Sequence, residues 1–321
     1  MTPGTELAVA VDALRAGELV AFPTETVYGL GADAANPEAV RRLFAVKGRP
    51  ADHPVIVHVA RAGQLDELGR AVPDIAHRLA EAFWPGALTI VVARNPARVA
   101  DEVTGGRATV GLRVPDHPLA RQLLDAFGGG VAAPSANRFG RVSPTTAQHV
   151  RADLGDDVRV VLDGGPCRVG VESTIVDVTG AQPAILRVGG VSRAEIADVV
   201  GRPVELQTRG EVAAPGTQPS HYAPRVTVEV VDAADIGARV GELTATGLRG
   251  GLLALAGVVP AFPDGLVVLD APRDVDEFAH VLYDRFRAAD ARGLDVLLVV
   301  NPPDSDGLGA AVADRVWRAS H

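Results

Sequence analysis

The sequence predicts two α/β domains joined by a short linker, and three observations carry that prediction. The chain has 321 residues, about two domains at roughly 150 residues each. Short apolar runs alternate with helix-like stretches along most of its length. One stretch, from Gln207 to Pro224, breaks that rhythm: QTRGEVAAPGTQPSHYAP carries three prolines and little apolar periodicity, as a semi-rigid linker does.

In chain order, LVAF (19–22) reads as a strand. Asn36-Pro37 reads as an N-cap followed by proline in the first turn, opening a helix over PEAVRRLFAVK. PVIVHV (54–59) reads as a strand and Pro73 to Phe83 as a helix. ALTIVVA (87–93) and ATVGLRV (108–114) read as strands. His117 to Phe127 reads as a helix ending in three glycines. Ser143-Pro144 repeats the cap-then-proline signal ahead of TTAQHV. VRVVLD (158–163), STIVDV (173–178) and AILRV (184–188) are further strands of a mixed α/β domain over 1–206. After the linker (207–225), VTVEVV, GLLALAG, LVVLD and DVLLVV alternate with helices near 233–245, 274–290 and 308–319. That alternation predicts a smaller, Rossmann-like parallel-sheet domain over 226–321. No GxGxxG follows its first strand, so no dinucleotide site is read there.

Composition excludes several classes. With 47% hydrophobic and 22% charged residues, the chain is too apolar for disorder. Its single cysteine, Cys167, rules out an internal disulfide and a Cys-rich metal site, and fits a reducing, cytoplasmic setting. The N-terminus carries acids where a signal peptide carries bases, and no apolar run approaches the ~20 residues of a membrane span, so no membrane partner is expected. Net charge is −9, and acids outnumber bases on both sides of Leu206. Any anion site is therefore local, and direct nucleic-acid binding is expected to be weak at most. Of the 31 basic residues, Lys47 alone is a lysine. A GC-rich genome explains the arginines; the exception is either chance or a position that needs a compact ammonium.

Four segments of the first domain place small, polar and basic residues between strands: PTETVYGLG (23–31), KGRP (47–50), APSANRFGR (133–141) and GGPCRVGVEST (164–174). Each has two readings. Lys47 and Arg49 complement a helix C-terminus capped by Gly48, or both point at one anion. SAN is a turn, or a hydroxyl and an amide for a ligand. The glycine-rich turn packs closely, or its N–H groups cradle phosphate; it is not a Walker A motif. His58 fills a core or touches substrate. Arg113 and Arg187 form salt bridges or join Lys47, Arg49 and Arg141 in a local anion site. Cys167 has no base beside it in sequence and reads as a packed residue.

Taken together and in order, PTET-x-YGLG, K-x-R, FWPGALT, GLRVP, PSAN and G-x-EST-I-V-D closely resemble the YrdC-type family over the first 200 residues or so. PG…HYAP and the extra α/β domain resemble its longer, two-domain form. The resemblance implies a twisted mixed sheet and a nucleotidyltransferase, a threonylcarbamoyl-AMP synthase. Such an enzyme makes threonylcarbamoyl-adenylate and pyrophosphate from L-threonine, bicarbonate and ATP with Mg²⁺. A downstream tRNA threonylcarbamoyl-transferase complex then modifies an adenosine next to the anticodon.

The resemblance also implies site residues. Lys47, Arg49, Ser135 and Asn137 are the expected catalytic set, with the Lys47 ammonium facing the cleft. Thr26, His58, Arg113, the Ala133 backbone and Ser173 are expected to hold L-threonine. Arg49, His53, Thr109, Ser135, Ser143, Arg187 and Tyr222 are expected to hold ATP. No protein ligand for Mg²⁺ is assigned, because phosphate oxygens and water suffice. The linker departs from the family's Met-Lys-Tyr-Arg-like run, reading Thr217-Gln218-Pro219-Ser220 before His221. It is expected to lie over the cleft as a lid. Two other readings stay open: a non-catalytic RNA-binding module, and a related carbamoyl-transfer enzyme. The single cysteine weighs against the zinc-bearing form of the latter.

Overall fold

The computed structural model describes residues 3–207, 215–216, 222–258, 265–303 and 306–321. The first domain carries β1 (Val20–Phe22), β2 (Gly29–Asp33), β3 (Val57–His58), β4 (Leu88–Ala93) and β5 (Thr109–Arg113). It continues with β6 (Val131–Ala132), β7 (Val160–Val161), β8 (Thr174–Asp177), β9 (Ala184–Arg187) and β10 (Glu205–Leu206). Around them lie α1 (Pro3–Arg15), α2 (Pro37–Lys47), α3 (Gln64–Leu68), α4 (Asp74–Phe83), α5 (Asp101–Thr104), α6 (Pro118–Phe127), α7 (Ala147–Leu154) and α8 (Arg193–Val200). The ten strands form one mixed sheet in the order β10-β9-β8-β4-β5-β3-β6-β2-β1-β7.

The second domain holds β11 (Thr227–Val230), α9 (Ile236–Thr246), β12 (Gly250–Leu253), β13 (Leu266–Asp270), α10 (Val275–Ala291), β14 (Val296–Val299) and α11 (Gly307–Ala319). Its four strands are all parallel, in the order β11-β14-β12-β13. The run of strand and helix signals in this half thus meets the parallel sheet it predicts.

Local chemistry explains the helix ends. The Asn36 side chain accepts from the N–H groups of Glu38 and Ala39, and Gly48 closes α2 at φ 63°, where glycine avoids the left-handed penalty. His117 caps α6 through Nδ1 ahead of Pro118. The Ser143-Pro144 signal misleads. The helix starts at Ala147 under a Thr146 cap, and Ser143 turns inward, fully buried, to donate to Glu172. PVIVHV pairs only over Val57–His58. β6 falls in VAAP (131–134), which reads as a strand ahead of SAN, whereas β2 and the two flanking helices α1 and α8 are not among the predicted elements.

One core crosses the domain boundary. Val27, Val142, Val171 and Tyr222 pack with Phe278, Leu282, Tyr283, Phe286, Val312 and Val316 from α10 and α11. Gly170 permits that approach. It sits at φ +86°, and a Cβ there would lie 2.4 Å from the Ala279 carbonyl oxygen. Asp306 ties the two domains at another point. Its carboxylate accepts from the N–H groups of Arg193 and Ala194 at the start of α8, and from Gly307 at the start of α11.

Candidate active site

A cavity of about 560 Å³, counted with its open mouth, lies where the ends of β3, β5, β8 and β9 meet the loops after β1 and β6. Sheet register brings its residues together. His58 and Arg113 are partners across the parallel β3–β5 pair, and Gly29 bridges Ser135. Arg187 sits opposite Ile175, two residues beyond Ser173. Three arginines line the cavity, Arg49, Arg113 and Arg187, with Thr24, Thr26, Ser135 and Ser173. His58, Ala133, Glu172, Tyr222 and the linker pair Pro215-Gly216 complete the wall.

Arg113 is held from behind. Its Nη2 donates to Glu25 Oε1 at 2.7 Å and to Thr26 Oγ1 at 3.0 Å, and its Nε to the Gly86 carbonyl at 3.0 Å. Glu25 Oε2 accepts from the Asp116 N–H. Arg113 therefore makes a buried salt bridge and also lines the cavity. Glu25 was not singled out from the sequence, although it stands within PTET; its partner is 88 residues away.

His58 is buried against the edge of Phe22, with ring centroids 5.8 Å apart. Burial, and then the Arg113 charge, hold its pKa well below the ordinary histidine value, so the ring is neutral. Its Nδ1 is buried with no partner among the described residues, which leaves a polar atom ready for a ligand. Arg49 donates to the Pro54 carbonyl at 2.9 Å and lies 5.6 Å from the Phe139 ring. Burial pulls its pKa down to about 10, so it stays charged at neutral pH. Arg187 grips the Ser173 carbonyl through Nε and Nη2 and the Pro215 carbonyl through Nη1. The linker is thereby pinned to the cavity wall. Gly216 is needed there, since a Cβ would stand 2.2 Å from the Tyr222 hydroxyl.

Of the expected threonine residues, Thr26, His58, Arg113, Ala133 and Ser173 all line this one cavity. The Ala133 N–H is used by the Ile56 carbonyl, so its own carbonyl is the group it can offer. Of the expected ATP residues, Arg49, Ser135, Arg187 and Tyr222 line it as well. His53, Thr109 and Ser143 do not. His53 packs on Phe139 beside Arg49, Thr109 is half-buried at the far end of β5, and Ser143 lies behind Glu172.

Lys47 corrects an expectation. Its ammonium does not face the cavity; it is buried and donates to the carbonyls of Ser135 and Asn137. Burial and the Arg49 charge push its pKa well below the usual lysine value. Asn137 likewise shapes its own loop, donating to the Arg138 and Arg141 carbonyls while Oδ1 stays unpaired. Arg141 is exposed and lines a separate groove between the domains with Arg225 and Arg287. The glycine-rich turn is no phosphate cradle. The N–H groups of Gly164, Gly165, Cys167 and Val169 already bond to Tyr28, Asp163, Thr145 and Glu25. Burial raises the Cys167 thiol to about 12, which suits a packed residue and not a nucleophile. Thr217 to His221 lie outside the described residues.

The mixed sheet with this cavity at its strand ends, backed by a parallel-sheet partner, places the chain in the class of two-domain YrdC-like α/β proteins. Residues 12–189 match the family described as telomere recombination, and residues 191–321 match the threonylcarbamoyl-AMP synthase C-terminal domain. The chain is 38% identical to the threonylcarbamoyl-AMP synthase of Bacillus subtilis, over 99% of this chain and 94% of that one. It is 40% identical to that of Pyrococcus abyssi, over 98% and 94%. The crystal structure of P. abyssi Sua5 complexed with L-threonine superposes with a TM-score of 0.91 at 37% identity, covering 100% of this chain and 95% of that one. The chain belongs to the threonylcarbamoyl-AMP synthase family.

Proposed function

We propose that this chain is a threonylcarbamoyl-AMP synthase, forming threonylcarbamoyl-adenylate and pyrophosphate from L-threonine, bicarbonate and ATP. The observation that carries the reading is one cavity lined by three buried arginines, Arg49, Arg113 and Arg187, together with the polar side chains of Thr26, His58, Ser135 and Ser173. Three arginines in one cavity, in a chain of net charge −9, mark a local site for anions. Full-length similarity to enzymes of that name supports the same reading.

The threonine amine attacks bicarbonate, or CO₂ derived from it, to give an N-carboxylate and water. An oxygen of that carboxylate attacks the α-phosphorus of ATP, and pyrophosphate leaves in line. Both steps bring anions together, so the cavity acts by positioning and by charge. Arg113 holds the threonine carboxylate, and Thr26, Ser173, His58 and the Ala133 carbonyl orient the rest of the amino acid. Arg49, Arg187 and Ser135 meet the phosphates and the reacting carboxylate. Lys47 and Asn137 act as positioning residues that set the Ser135 loop, and Tyr222 frames the nucleotide. Mg²⁺ bound to the ATP phosphates would neutralise part of their charge. Glu172 is poorly placed to bind it, because its oxygens are taken by protein donors, and no cluster of three potential ligands exists among the described residues. The product passes, in the cytoplasm, to a tRNA threonylcarbamoyl-transferase complex.

Pyrophosphate release from ATP and Mg²⁺, with L-threonine and bicarbonate omitted singly, tests the reading. Release that requires both is expected. Release requiring neither would replace it with a simple ATPase.

A further inference from the structure

The second domain has no part in the mechanism above, yet it reaches the cavity wall. Glu172 is the one carboxylate among the described residues lining the cavity. Its Oε1 accepts from Ser143 Oγ at 2.7 Å; its Oε2 accepts from the Tyr283 hydroxyl at 2.8 Å and from Arg315 Nε at 3.0 Å. Tyr283 lies on α10 and Arg315 on α11. Arg315 is fully buried, also donates to the Val188 carbonyl, and sits 5.4 Å from the Tyr222 ring, which stacks on Tyr283. Asp314 touches Arg315 as well, but Arg318 balances it at 2.9 Å. No ion pair joins Glu172 to Arg187 among the described residues; Arg187 spends its donors on Ser173 and Pro215.

An unbalanced carboxylate in this wall would repel phosphates in a site of low dielectric. We propose that Arg315 is a positioning residue whose task is to be the counter-ion of Glu172, so that the second domain keeps the cavity cationic. The proposal rests on the synthase reading. It also explains the direction of the Glu172 pKa, which Arg315, Arg187 and the Ser143 hydroxyl hold well below the usual carboxylate range against the effect of burial. Threonine is a zwitterion without net charge, so it feels a bare Glu172 far less than ATP does.

The test compares wild type, R315M, E172Q and E172Q/R315M. Pyrophosphate release is measured with ATP and threonine varied separately, and ATP binding and thermal melting are followed in parallel. Wild-type release that ignores threonine and bicarbonate would overturn the synthase reading alone, since ATP binding by calorimetry still reads the counter-ion. R315M is expected to weaken ATP by at least about tenfold and threonine by less than about threefold. Removing the carboxylate as well should bring ATP affinity back to within about threefold of E172Q. A double variant as weak as R315M, or equal losses for ATP and threonine, would overturn the proposal. Where R315M fails to fold, a folded double variant with the ATP affinity of E172Q supports it, and a misfolded one overturns it.

Discussion

Two buried ion pairs flank the cavity, and they face it in opposite directions. In Arg113–Glu25 the arginine lines the wall and the carboxylate stands behind it; in Glu172–Arg315 the carboxylate lines the wall and the arginine stands behind. The first pair lies within one domain, the second spans two. Each pair is neutral as a whole, so its orientation decides which sign a ligand meets. A buried pair of this kind adds little net stability but is costly to break from one side. The polarity of the cavity is therefore set largely by what stands behind its surface.

The comparison can be broken from either side. Arg113→Ala should have the largest effect. It leaves Glu25 buried and unpaired, costing about 3–5 kcal/mol, and removes the expected carboxylate anchor. Urea unfolding and calorimetric titration with threonine would read both losses; threonine binding that survives would take Arg113 out of the site. Gly170→Val attacks the second pair without touching it. A Cβ would strike the Ala279 carbonyl in a left-handed backbone, and about 3 kcal/mol of stability should go as α10 is pushed away. A melting temperature equal to wild type would mean that α10 can step aside.

Lys47 sharpens the contrast as a buried cation answered by carbonyls instead of a carboxylate. Lys47→Ala should cost about 2–3 kcal/mol and lower activity with it, since two carbonyls lose a charged donor. Lost activity at unchanged stability would return the ammonium to the cavity. Tyr283→Phe should cost about 1.5 kcal/mol by taking one donor from Glu172, measured by urea unfolding; no loss would make that hydroxyl dispensable.

The smallest effect concerns pH. The folded pKa of His58 lies below its ordinary value of 6.5. The unfolded chain therefore takes up the proton first, and stability falls as pH drops below about 6.5, by up to about 1.4 kcal/mol per unit. Between pH 7.5 and 5.5 wild type should lose about 1 kcal/mol more than His58→Asn. Equal losses would mean that the ring is not neutral in the folded state.

The Ser192–Glu195 capping box of α8 was not read, but the caps of α2 and α6 were legible, as Asn36-Pro37 and His117-Pro118 show, because capping is local chemistry. The alternating second domain was legible for the same reason. Helix α1 was readable but not read: Leu7, Ala10, Val11 and Leu14 fall on one helical face. β3 and β6 pair over only two residues each, shorter than the apolar runs that mark them. The ordered series of motifs found the cavity's own side chains. It missed Glu25, Tyr283 and Arg315, whose roles depend on partners 88, 111 and 143 residues away. Ser143 misled because its cap-like spelling competes with a buried carboxylate that only the fold supplies.

The Asp306 carboxylate bears on how the molecule comes apart. It caps α11 and also accepts from the first N–H groups of α8, so parting the two helices takes those bonds from α8, whose own Ser192 cap remains. With one apolar core also running through the boundary, the two sheets cannot melt as independent calorimetric units. Heating should give a single cooperative transition whose van't Hoff and calorimetric enthalpies agree for the whole chain.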